Sequence, residues 1–114
     1  MSDAIIDRTA LARIERMAGK DAATQIVSLF LETAPERIAS LRSGHAAGRR
    51  EEVDLQLHSL RSSAEMLGAT GLGSLTARME RLARQDDSSG LEGCFDELER
   101  EFRAFEALLR DEDA

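Results

Sequence analysis

Apolar residues recur at spacings of three and four along nearly the whole chain, while alternation of period two is missing. Ala10, Ile14 and Met17 form the inner face of a short first helix, capped by Asp7 and ended by Gly19. A second helix opens at Asp21 and turns Val27, Phe30, Ala34, Ile38 and Leu41 inward before Ser43-Gly44 stops it. Pro35 falls within that pattern, so the helix either kinks or splits there. The apolar register continues across the proline, which favours a kink.

The loop from Gly44 to Gly48 leads into a third helix, Arg49 to Leu67. Its stripe is Val53, Leu57, Leu60, Ala64 and Leu67, in alternating steps of four and three. Gly68 stands where a left-handed cap is wanted. Thr70 caps a fourth helix with Leu72, Leu75, Met79 and Leu82 facing inward. Asp86-Asp87-Ser88-Ser89-Gly90 reads as a loop. The last helix carries Leu91, Phe95, Leu98, Phe102, Phe105 and Leu109. Such spacing favours near-parallel packing at about 20°. The pattern predicts an all-α fold: an up-and-down antiparallel four-helix bundle with a short additional N-terminal helix, one domain over residues 1–114.

Composition narrows the function. Net charge is −7, and aromatics are 4% with neither Trp nor Tyr, which argues against a nucleic-acid partner. No apolar stretch reaches the length of a membrane span. Met1-Ser2-Asp3-Ala4 lacks the features of a signal peptide, and the expected location is cytoplasmic. Cys94 is the single cysteine, read as a buried and inert thiol. One cysteine and two histidines make a poor zinc inventory, so no metal site is expected. The acidic tail, about residues 110–114 with Asp111-Glu112-Asp113, reads as solvated. Since all inner faces are satisfied within one chain, a monomer is expected.

His58 breaks the packing logic of its helix. A helix advances about 100° per residue, so His58 projects roughly 140° from Val53, outside the apolar stripe. Ser62 and Glu65 follow at i+4 and i+7, with Arg61 at i+3. Arg61 can donate charge-assisted hydrogen bonds to phosphate oxygens, and small Ser62 leaves one edge of the ring open. A neutral imidazole nitrogen is a nucleophile without special activation. Leu55 and Met66 also lie opposite the core stripe, near 200° and 220°, and suggest a docking patch. His45 lies in the expected loop and reads as an ordinary surface residue. Arg49, Arg50, Arg78, Arg81 and Arg84 read either as solvated helix faces or as a positive surface beside an acidic partner.

The run from His58 to Ala69 resembles the signature of histidine-containing phosphotransfer domains, the HPt family. That pattern is His, any residue, Leu, Lys, Gly, Ser, Ala or Ser, then after a short gap Gly and a small or apolar residue. His58, Leu60, Ser63, Ala64, Gly68 and Ala69 fall in register. Arg61 replaces the usual Lys, keeping charge but changing shape, and Ser62 replaces the usual Gly. Weaker similarity extends over roughly residues 5 to 109: Asp7 with Leu11, Leu29-Phe30 with Leu41, Leu72, and Met79-Glu80-Arg81-Leu82.

The resemblance implies a phosphocarrier rather than an autonomous enzyme. His58 would be phosphorylated at Nε2, with Arg61 and Ser62 near the phosphate and Leu55, Ser59, Glu65 and Met66 docking the partner. The implied partners are receiver domains of a hybrid histidine kinase or a response regulator, whose aspartates exchange the phosphoryl group. No cofactor is implied in this chain, and Mg²⁺ is expected in the partner receiver alone. The rival reading is a helical module that docks a receiver or kinase without being phosphorylated. An ATP-dependent enzyme is a second rival, which the lack of any Gly-rich phosphate loop opposes.

Overall fold

The computed structural model describes residues 6–113 and, of these, the side chains up to residue 110. The tetrapeptide Met1-Ser2-Asp3-Ala4 and the side chains of Asp111, Glu112 and Asp113 lie outside the described set. The elements are α1 (Arg8–Ala18), α2 (Lys20–Ala46), α3 (Arg50–Leu67), α4 (Thr70–Arg84), α5 (Ser88–Glu92) and α6 (Phe95–Asp113). Residues 47–49 join α2 to α3, and 68–69 join α3 to α4, so these neighbours run antiparallel. The one-turn α5 carries the chain from α4 to α6. Together α2, α3, α4 and α6 form the four-helix bundle, with α1 packed on α2 and α3. Among the described residues, no helix is long and apolar enough to cross a membrane.

The core follows the apolar stripes. Leu41, Leu57, Leu60, Leu67, Leu72, Met79, Leu98 and Phe105 are fully buried. Phe30 of α2 meets Phe102 and Phe105 of α6 edge-on, each at a centroid distance of 6.0 Å. The amide of Ala69 donates to the Ala64 carbonyl across 2.8 Å, and Gly68 ends α3 at φ 76°, the left-handed cap expected there.

Several boundaries differ from the sequence-based expectation, each for a packing reason. α2 begins at Lys20 without a side-chain cap, so Asp21 lies in its first turn rather than before it. The helix continues through Ser43-Gly44 to Ala46, because Gly44 is buried against Glu52 and its missing side chain lets α3 approach. It also runs unbroken past Pro35, which removes the split; buried Ala34 and Ile38 hold the register on either side. Met17 is exposed rather than inward, since only the Ala10 end of α1 is buried and Leu11 and Ile14 complete its contact with the core. Thr70 is the first helical residue of α4 and not its cap, a position held by Ala69.

The expected loop at 86–90 contains the start of α5. The Asp87 carboxylate accepts from the Gly90 amide at 2.9 Å, and buried Leu91 anchors the turn to the core. Leu91 thus belongs to α5, and α6 starts at Phe95. His45 is helical as well, half-buried, with its ring edge-on to Phe95 at 5.2 Å and Nε2 3.8 Å from Glu92. It closes one end of the bundle instead of decorating a loop.

Candidate functional site

The orientation of α3 decides what its outer surface offers. Val53, Leu57, Leu60, Ala64 and Leu67 are all buried, which fixes the rotation of the helix about its axis. The opposite side then turns His58 outward with its side chain 64% exposed. Leu55 and Met66 flank it at 56% and 50% exposure, unusual for large apolar residues. Ser62 and Glu65 are exposed on the same side, and Ser59 is half-buried. The structure therefore gathers Leu55, His58, Ser59, Ser62, Glu65 and Met66 on the solvent side of one helix. Leu29 of α2 is a further exposed apolar residue.

Arg61 behaves differently from its neighbours. It sits at the α3–α4 boundary, half-buried, and donates through Nε to Glu80 Oε1 of α4. Its Nη1 lies 3.4 Å from both carboxylate oxygens of Glu65. The hydrogen bond to Glu80 holds the guanidinium pKa above its ordinary value. Arg61 was expected to face a phosphate, yet two carboxylates of its own chain hold it.

Glu80 is the residue that reading along the chain missed. Its side chain is only 16% exposed, and its Oε2 lies 3.9 Å from His58 Nδ1. One signal was present: Glu80 follows inward-facing Met79, which sets it about 100° round the helix, at the core boundary. Which neighbour it would meet depends on the α3–α4 pairing, and periodicity does not reveal that.

The other candidates fall away from this surface. Arg50 bonds Asp86 and the Ala83 carbonyl, the latter at 3.1 Å, and Arg78 bonds Glu97 at 3.1 Å. These two arginines brace the fold, whereas Arg49, Arg81 and Arg84 are exposed. Cys94 is buried as expected, its thiol donating to the Gly90 carbonyl at 3.4 Å. Arg78 Nη2 lies 4.0 Å from its sulfur, a neighbour the sequence did not suggest. A cavity of about 240 Å³ lined by His45, Arg50, Val53, Ala83 and Leu91 opens at one end of the bundle, and His58 does not line it. His58 instead stands on an exposed helix face, a shape suited to entering another protein's cleft.

Comparison with known proteins agrees with this geometry. The family model described as "Hpt domain" matches residues 25–110. Histidine-containing phosphotransfer protein B (HptB) from Pseudomonas aeruginosa PAO1 has a similar structure, with a TM-score of 0.87 and 23% identity. That alignment covers 94% of this chain and 92% of the other. A candidate histidine-containing phosphotransfer protein from rice aligns with a TM-score of 0.68 and 16% identity, over 97% of this chain and 88% of its own. A search of curated protein sequences gave no match.

Proposed function

The chain belongs to the Hpt domain family, whose members carry out histidine phosphotransfer in phosphorelays, and from that premise we propose that His58 is its phosphoryl carrier. His58 takes the group from an aspartate of one receiver domain and passes it to an aspartate of another. Nε2 attacks the phosphorus of the partner's aspartyl phosphate. The N–P bond forms as the P–O bond breaks, and the aspartate leaves as a carboxylate. The onward step reverses this, with the second aspartate as nucleophile and the imidazole as leaving group. The partner receiver supplies Mg²⁺ and the remaining catalytic groups.

The observation that carries this reading is an exposed imidazole on a helix whose whole inner stripe is buried. The ring is held in place by the fold and remains reachable by a partner. Leu55, Ser59, Glu65 and Met66 are its docking neighbours, and Ser62 is small enough to leave room for a phosphoryl group. Arg61 becomes a phosphate contact by turning a donor away from Glu65. The protein acts as a cytoplasmic monomer, since its apolar inner faces are satisfied within one chain.

The test is phosphorylation by a hybrid histidine kinase with its receiver. Wild type takes up acid-labile, alkali-stable label, and His58→Gln takes up none. Label on His58→Gln removes the assignment to this residue. Receiver binding without any label on wild type means a docking module instead. Label from ATP alone, with no kinase present, means an autonomous enzyme.

A further inference from the structure

Glu80 spans two functions of the α3–α4 groove with its two oxygens. Oε1 accepts from Arg61 Nε, and Oε2 faces His58 Nδ1 at 3.9 Å. We propose that Glu80 is the positioning residue of His58: its carboxylate, clamped by Arg61, keeps the proton on Nδ1 through both phosphoryl-transfer steps. Nε2 is thereby left as the atom that takes and gives the group. This rests on the phosphotransfer reading of His58.

A carboxylate so far out of water is costly unless it is paired, and Arg61 supplies the pairing. The clamp leaves Oε2 without a donor, turned toward the ring. A separation of 3.9 Å is longer than a hydrogen bond. The exposed ring can close it by rotation, and such contacts commonly tighten only in the reacting complex. The charged groups around the ring are Glu65 and Arg61 on α3 and Glu80 on α4. Of these, Glu80 is the one in ion-pair range of Nδ1.

Neutral imidazole carries one N–H, and a carboxylate beside Nδ1 favours the proton there. The lone pair then sits on Nε2, on the side open to a partner. When Nε2 forms the N–P bond, a ring that keeps Nδ1–H becomes an imidazolium, and Glu80 opposes that positive charge at close range. When the bond breaks, its electron pair returns to Nε2 and the ring is again neutral with Nδ1–H. No proton needs to leave or enter, and a cationic ring is the better leaving group.

The experiment uses the full chain, comparing wild type, Glu80→Gln, Glu80→Ala and Arg61→Ala. ¹⁵N NMR reads the His58 tautomer at about pH 8.5, well above the ordinary imidazole range. Receiver-dependent phosphorylation and back-transfer rates are measured on the same samples. Wild type should hold mainly the Nδ1–H tautomer, and Glu80→Ala should shift the tautomer ratio about fivefold, the scale of one weak hydrogen bond to a charged group. Arg61→Ala should shift it in the same direction by freeing the carboxylate to turn away. Glu80→Gln keeps the shape but loses the charge, so its transfer rate should fall about tenfold while the fold is kept. An unchanged tautomer ratio in Glu80→Ala, or wild-type transfer rates in Glu80→Gln, overturns the proposal. A wild type that takes no label on His58 sinks the shuttle reading instead, and the tautomer measurement still judges the role of Glu80 separately.

Discussion

Asp7 and Gly68 lock the amino-terminal segment onto the α3–α4 corner. The Asp7 amide donates to the Gly68 carbonyl across 2.6 Å. A Cβ on Gly68 would overlap the Asp7 carbonyl oxygen and come within 2.9 Å of Ala10 Cβ. Gly68 thus does two jobs, as the left-handed cap of the helix bearing His58 and as the docking point of α1.

Two glycines with positive φ should therefore respond differently to alanine. Gly48, at φ 69°, has nothing within 4 Å of the added methyl, so Gly48→Ala should cost about 1 kcal/mol from backbone strain alone. Gly68→Ala adds a backbone collision and should cost about 3 kcal/mol or more, or detach α1. Urea unfolding of the two variants checks the difference. Equal losses would show that the Asp7 contact contributes nothing.

Leu60 and Leu55 lie on opposite sides of α3. Leu60 is fully buried and Leu55 is 56% exposed. Leu60→Ala should lower stability by about 2–5 kcal/mol, whereas Leu55→Ala should stay within about 0.5 kcal/mol. Chemical denaturation of both reads this directly.

The same exposure gives Leu55 and Met66 a different consequence. Leu55→Asp and Met66→Asp should each weaken binding to a cognate receiver domain by about tenfold or more, with the melting temperature unchanged. Titration calorimetry against the receiver checks this. Unaltered affinity in both variants would place the docking surface elsewhere on the bundle.

Asp7 ties stability to pH at the start of α1. Its carboxylate accepts from the Thr9 hydroxyl at 2.6 Å and the Thr9 amide at 3.0 Å. The hydroxyl bond foremost, then the amide bond, holds its pKa below the ordinary carboxylate value. A depressed folded pKa means the contribution is present above the unfolded pKa and is lost as pH falls through the folded one. Asp7→Ala should therefore melt lower than wild type at neutral pH, and the gap should close near about pH 2. Paired thermal melts at the two pH values measure it.

Periodicity along the chain was enough for the four long helices, for the inner stripe of α3 and for the outward direction of His58. Each depends on angular spacing within one helix, which sequence encodes locally. The exposed positions of Leu55 and Met66 follow from the same geometry. The resemblance of the His58 run supplied the chemistry, because spacing alone names no reaction.

What only the tertiary structure decided involves pairs of helices. The continuation of α2 past Gly44 depends on α3 needing the space of a missing side chain, and α5 forms because Leu91 is drawn into the core. The placing of His45 on Phe95 follows from those two facts. Most consequential is the meeting of Glu80 with Arg61 and His58, 19 and 22 residues away on the neighbouring helix. A stripe of apolar residues tells a helix which side to bury. It does not say which partner helix, at what axial offset, brings a boundary carboxylate against an exposed imidazole; that is fixed by how the side chains of α3 and α4 interlock.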